Sequence, residues 1–207
     1  MPVEQSSAPS PPTLTICGLA EIAGHGGRAV THALSLLDPG TPEPDGFAAY
    51  GPHHRVTLSF HDAITPAEGT TLPTRDDVAA ILAFGRDIAA PAGGDAQHLL
   101  VHCHMGISRS TAAMAMLLAQ AEPALDEDAV LARIATERPQ AWPNSRMIGF
   151  ADELLGRQGR FTAALGRLYA RRLAEAPEIA AFMHANGRSQ EISLAEAGAR
   201  DAAPGAG

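Results

Sequence analysis

His98-Leu99-Leu100-Val101-His102-Cys103-His104-Met105-Gly106-Ile107-Ser108-Arg109-Ser110, continued by the apolar run Thr111 to Gln120, decides the fold. Leu99 to His102 reads as a buried strand, since a short apolar run bounded by a turn fits a sheet interior. Six positions after Cys103 stands Arg109, then Ser110, then a helix with almost no polar face. A strand, a tight loop and a helix N-terminus together make an anion cradle. The loop N–H groups point inward and the helix end adds partial positive charge.

Cys103 at the foot of that cradle is a candidate nucleophile, and it must act as thiolate because a thiol attacks poorly at neutral pH. The helix start, the inward N–H groups and the Arg109 guanidinium all favour the thiolate. Gly106 suits a loop that must curl around a tetrahedral anion, since glycine accepts positive φ without steric cost. Arg109 offers a planar fork of donors that matches two phosphoryl oxygens better than lysine would. Ser108 and Ser110 supply hydroxyls, and Ser110 is placed to hydrogen-bond the sulfur when it leaves in a second step. His104 and Met105 turn their backbone to the anion and their side chains to the mouth. His102 has two readings: a ring that tunes Cys103 through nearby backbone, or a buried histidine satisfied by ordinary partners. Together these residues suit attack on a phosphate ester.

The run Cys103-His104-Met105-Gly106-Ile107-Ser108-Arg109-Ser110 resembles the cysteine-dependent protein tyrosine phosphatases. Gly106-Ile107-Ser108-Arg109-Ser110 is most similar to their dual-specificity branch. Met105 departs from the alanine common before that glycine, a change at the rim of the loop. The resemblance implies metal-free hydrolysis of phosphate monoesters through a cysteinyl-phosphate, with phosphoproteins as substrates and no cofactor. It spans about Leu14 to Gly156, with the tight motifs confined to short segments. Arg138-Pro139-Gln140-Ala141-Trp142-Pro143-Asn144 resembles the Pro-Asn segment that braces the phosphate loop in dual-specificity enzymes. Asn144 would then hydrogen-bond loop backbone; its plainer role is a helix N-cap, and both can hold together.

Breaking a phosphate ester leaves an oxyanion that needs a proton, so an acid is expected upstream. Arg55 to Asp62 alternates apolar and polar residues as a half-buried strand does, and ends at a Pro/Gly/Thr loop. The resembled family carries its acid at such a strand end, which selects Asp62, 41 residues before Cys103. Glu68, Asp76 and Asp77 are rivals. Asp76 and Asp77 fit better in the first turn of a helix starting after Thr74, where negative charge complements the helix dipole. An acid that precedes the cysteine matches the dual-specificity branch and not the low-molecular-weight one.

Outward from this centre, strands are expected at Leu14 to Leu19, Val30 to Leu37 and Arg55 to Asp62. A helix after Thr74 carries Val78, Ile81, Leu82 and Ile88 and stops near Pro91-Ala92-Gly93-Gly94. Strands separated by helices imply an α/β fold. The expected sheet is mostly parallel, with four to five strands, helices on both faces and ligand at the strands' carboxyl ends. Further helices are expected from Asp126 to before Pro139, after Asn144, and from Phe161 to His184. The organisation reads as a Ser/Pro-rich disordered tail (1–12), a phosphatase-like domain (13–156), a helical extension (157–192) and an Ala/Gly-rich frayed tail (193–207). Arg157, Arg160, Arg167 and Arg171 in that extension read as a solvated face, or as a dock for an acidic partner.

The formal net charge of −8 argues against a nucleic-acid partner, which would call for a basic stripe. No apolar run reaches membrane-spanning length and no leader is expected. Two cysteines make no disulfide framework, and a nucleophilic Cys103 must stay reduced, so a cytoplasmic location is expected; a monomer is expected as well. Cys17 reads as a buried thiol, with a protective disulfide to Cys103 as the lesser alternative. Two other functions compete. In a metal-dependent hydrolase, His102 and His104 on one strand face would bind zinc, which leaves Gly106, Arg109 and Ser110 unexplained. An idle phosphate-binding module or a sulfurtransferase would need no proton donor. The absence of lysine from the loop disfavours polyphosphoinositide head groups.

Overall fold

β1 (Thr13–Gly18), β2 (His32–Leu37), β3 (His54–Ser59) and β4 (His98–Cys103) pair in parallel in the spatial order β1-β4-β2-β3. The computed structural model describes residues 13–89 and 97–202. The expected tail at 1–12, the helix stop at 91–94 and residues 203–207 lie outside them. All six residues of β4 are buried, as its continuous apolar sequence demands of a strand covered on both faces. The edge strand β3 has no buried residue, its positions being half-buried or exposed. Because all four strands run the same way, Gly18, Leu37, Ser59 and Cys103 end on one edge of the sheet, and their exit loops meet there.

Seven α-helices are seen among the described residues: α1 (Arg75–Ala89), α2 (Arg109–Ala121), α3 (Glu127–Glu137), α4 (Ser145–Leu154), α5 (Arg160–Glu175), α6 (Ile179–Ala185) and α7 (Ser189–Ala202). The main core gathers Val101 and Cys103 of β4, the whole apolar length of α2, and inward residues of α1, α3, α4, α5 and α7. The opposite sheet face is covered by two 3-10 segments, Leu19–His25 and Asp45–Ala49, over a smaller cluster with Cys17, Leu100 and Phe47. Both faces are thus covered, one by long helices and the other by short turns.

Local chemistry sets the helix starts. Thr74 and Asp77 exchange hydrogen bonds in a capping arrangement ahead of α1, so Asp77 is engaged there and Glu68 is exposed. Asp126 caps α3 and Asn144 caps α4. Buried Asp152 accepts from the N–H groups of Gly159 and Thr162 at the start of α5.

The expected single helix over Phe161 to His184 is instead two. α5 ends at Glu175 and α6 begins at Ile179, because Pro177 cannot continue a hydrogen-bonded turn. The Ala/Gly-rich stretch expected to fray from Ser193 is helical through Ala202, with Ile192, Ala195 and Gly198 buried against α5. A Cβ on Gly198 would lie 2.2 Å from the carbonyl carbon of Gly166, so small residues let the two helix backbones touch. The extension's arginines hold it in place. Arg157 is buried against Glu127 and the carbonyls of Ala119 and Pro123, Arg160 reaches Glu127, and Arg167 pairs with Asp128.

Candidate active site

Cys103 ends β4 with 2% exposure, and its Sγ lies 3.2 Å from Oγ of the fully buried Ser110. The loop from His104 to Ser108 leads into α2. Gly106 has φ +70, and a Cβ there would sit 2.6 Å from the carbonyl carbon of Cys17, so the turn admits glycine alone. The outside of the loop is held from behind. Leu19 N–H donates to His104 O, and Arg138 donates to the carbonyls of Met105 and Gly106 while pairing with Glu21. On the far side, Trp142 N–H donates to Ile107 O and Asn144 N–H to Ser108 O. Carbonyls bonded outward leave the loop's N–H groups for its interior. Thr111 Oγ1 adds bonds to the carbonyls of Ile107 and Ser108.

Arg109 is 3% exposed. Its Nη1 donates to Asp38 Oδ1 at 2.7 Å and to Phe60 O at 2.5 Å, so the exits of β2 and β3 fix the guanidinium. Its Nη2 lies 2.9 Å from His104 Nδ1, which must accept because arginine has no lone pair to offer. The His104 proton then sits on Nε2, 3.9 Å from Asp38 Oδ2. Arg109 Nε is buried and has no acceptor among the described residues. The Nε–Nη2 edge is the side of the fork left for an anion.

His102 lies on the opposite sheet face from Cys103, its Nε2 2.6 Å from Ser35 Oγ. Burial pushes its pKa down to about 4, the Cys103 backbone opposing that shift in part, although Nδ1 makes no geometrically sound hydrogen bond. His104 stands beyond the end of β4, so the two histidines do not share a strand face. Among the described residues no group of three or more His, Cys, Asp and Glu side chains converges as metal ligands. Cys17 packs in the smaller cluster, on the face away from Cys103, and burial raises its thiol to about 12. Met105 is 67% exposed at the rim.

Asp62, two residues past Phe60, reaches the other wall of the loop. Its Oδ1 accepts from Ser108 Oγ at 2.7 Å and Asn144 Nδ2 at 2.9 Å, and it is ion-paired with Arg188 Nη1 at 3.2 Å. Ser108 thus turns its side chain to Asp62 and leaves the first N–H groups of α2 uncapped by it. Of the acid candidates, Asp62 is the one brought to the loop. Asn144 N–H donates to Ser108 O and its Oδ1 caps α4, the two bonds expected of it, and its Nδ2 also donates to Asp62, which was not expected.

No protein-family model matches the chain, and no curated protein matches it. Solved structures do. Human DUSP28, at 17% identity, aligns over 72% of this chain and 97% of its own with a TM-score of 0.50. DUSP15, at 18% identity, aligns over 82% of this chain and 95% of its own with a TM-score of 0.51. The chain has the dual-specificity phosphatase fold. Within that fold, Asp38, Arg138 and Glu21 are site residues that sequence reasoning missed. Asp38 had a signal, since it follows the end of β2 much as Asp62 follows β3. Arg188 and Glu191 had none beyond an Arg-x-x-Glu spacing, and their burial comes from helices packed over the site.

Proposed function

We propose that the chain is a metal-independent hydrolase of phosphate monoesters, of the dual-specificity type, acting on phosphoproteins through a cysteinyl-phosphate. The observation that carries this reading is a pairing at one helix N-terminus. A buried thiol, Cys103, stands with a buried guanidinium, Arg109, whose Nε has no acceptor among the described residues. In the first step Cys103 Sγ bonds to phosphorus as the ester P–O bond breaks, and the departing oxygen takes a proton from Asp62. In the second, water attacks phosphorus and gives its proton to Asp62. The S–P bond breaks, and the Ser110 hydroxyl donates to the leaving sulfur. Arg109 and the inward N–H groups of His104 to Ser108 bind the three remaining phosphoryl oxygens, where charge stabilisation does most of the catalytic work. A thiol that must stay reduced supports a reducing compartment such as the cytoplasm.

Cys103→Ser should abolish hydrolysis of an aryl phosphate while vanadate still binds, read by turnover and by calorimetry. Hydrolysis that survives the substitution overturns the reading. Matched phosphotyrosine and phosphothreonine peptides then set the substrate preference.

A further inference from the structure

The carboxyl of Asp62 is held asymmetrically. Oδ1 accepts hydrogen bonds from Ser108 and Asn144 and faces the Arg188 guanidinium at 3.2 Å, and among the described residues no donor reaches Oδ2. The Asn144 Nδ2 and the arginine Nη1 carry only protons to give. An oxygen that faces two obligatory donors cannot also hold the acid proton without repulsion, so that proton belongs on Oδ2. Arg188 lies between α6 and α7. Its side chain is 8% exposed, and its own aim is fixed by a two-point pairing with Glu191, at 2.7 and 2.9 Å. Glu191 is fully buried and also accepts from Trp142 Nε1, Ser145 N–H and the Tyr169 hydroxyl. Arg188 Nη2 closes the arrangement by donating to Ser108 Oγ at 3.1 Å.

We propose that Arg188 is a positioning residue, supplied by the C-terminal helices, that dictates which oxygen of Asp62 delivers the proton to the leaving group. This rests on the phosphatase reading. A poor leaving group depends on that proton and a good one hardly does, so the inference has its own signature. The full chain would be assayed on phenyl phosphate and on 4-nitrophenyl phosphate. Arg188→Gln should lower kcat about tenfold on the former and less than about threefold on the latter, the span expected of a partly misdirected general acid. Arg188→Lys keeps a cation against Glu191 and should fall between Arg188→Gln and the natural chain. Glu191→Gln, which loosens Arg188 without removing it, should tilt the ratio in the same direction; thermal melts verify that each variant is folded.

Equal losses on both esters, or an unchanged ratio in folded variants, overturn the inference. With Cys103→Ser in the same assay, hydrolysis that persists overturns the underlying reading instead. Cys103-dependent turnover with an unmoved ratio removes only the role of Arg188.

Discussion

The two walls of the candidate site are built in different ways. The wall that carries Cys103 and Arg109 comes from one contiguous segment, whose turn is set by short-range chemistry and braced from outside by Leu19, Arg138, Trp142 and Asn144. β4 ends, Gly106 takes positive φ, and α2 begins. The wall that carries Asp62 is assembled from the exit of β3, the segment before α4 and the junction of α6 with α7, and it meets the loop through Ser108. The first wall is a local conformation and the second is a consequence of packing. A contiguous wall can be damaged at one backbone position, whereas an assembled wall loses direction before it loses its parts.

Gly106→Ala attacks the contiguous wall and should have the largest effect. A Cβ at 2.6 Å from the Cys17 carbonyl carbon, at φ +70, must displace the loop. Misplacing the nucleophile by an ångström costs about a hundredfold in kcat/KM, and the strain removes about 1–3 kcal/mol of stability. Steady-state kinetics and denaturant melts would read both; unchanged kinetics would contradict the loop geometry.

The next effect concerns the strand behind that wall. His102 titrates near 6.5 when unfolded and near 4 when folded, chiefly because burial disfavours its charged form. The stability of the neutral ring is therefore complete above pH 6.5 and is lost as pH falls toward 4, by about 3 kcal/mol at most. His102→Gln can keep the Ser35 bond but does not titrate, so stability should decline less between pH 7 and 4.5. Denaturant midpoints at the two pH values give the comparison, and parallel declines would refute it.

Asn144→Ala strikes the assembled wall and should be mildest. Loss of the α4 cap removes about 1 kcal/mol. Turnover of phenyl phosphate should fall about tenfold through Asp62, with a smaller loss on 4-nitrophenyl phosphate. A larger loss on the activated ester would place Asn144 with the contiguous wall instead.

The same division explains what was legible in the chain. Cys103, Arg109, Ser110, Gly106 and the strand before them sit in one apolar-then-glycine pattern, and the caps Thr74, Asp126 and Asn144 announce their helices. Asp62 was expected to end a strand and lies instead three residues past the end of β3 at Ser59, in the exit loop, and its sequence neighbours say nothing of Arg188 or of which oxygen is held. The tail after Ser193 looked frayed because Ala and Gly carry little local signal. Its helix exists because Gly198 lets α7 touch α5 at Gly166. The four arginines of the extension looked solvated, and for Arg157, Arg160 and Arg167 the acidic partners proved to be Glu127 and Asp128 on α3, far away in sequence.

What the chain determined by itself was the anion loop and the parallel order that leads to it, because backbone conformation and hydrophobic period act between near neighbours. Only the tertiary structure decided that Arg109 is gripped by Asp38 and Phe60 and that Asp62 is aimed from the C-terminal helices. Those contacts join residues tens of positions apart, and they form only once the helices have buried their apolar faces.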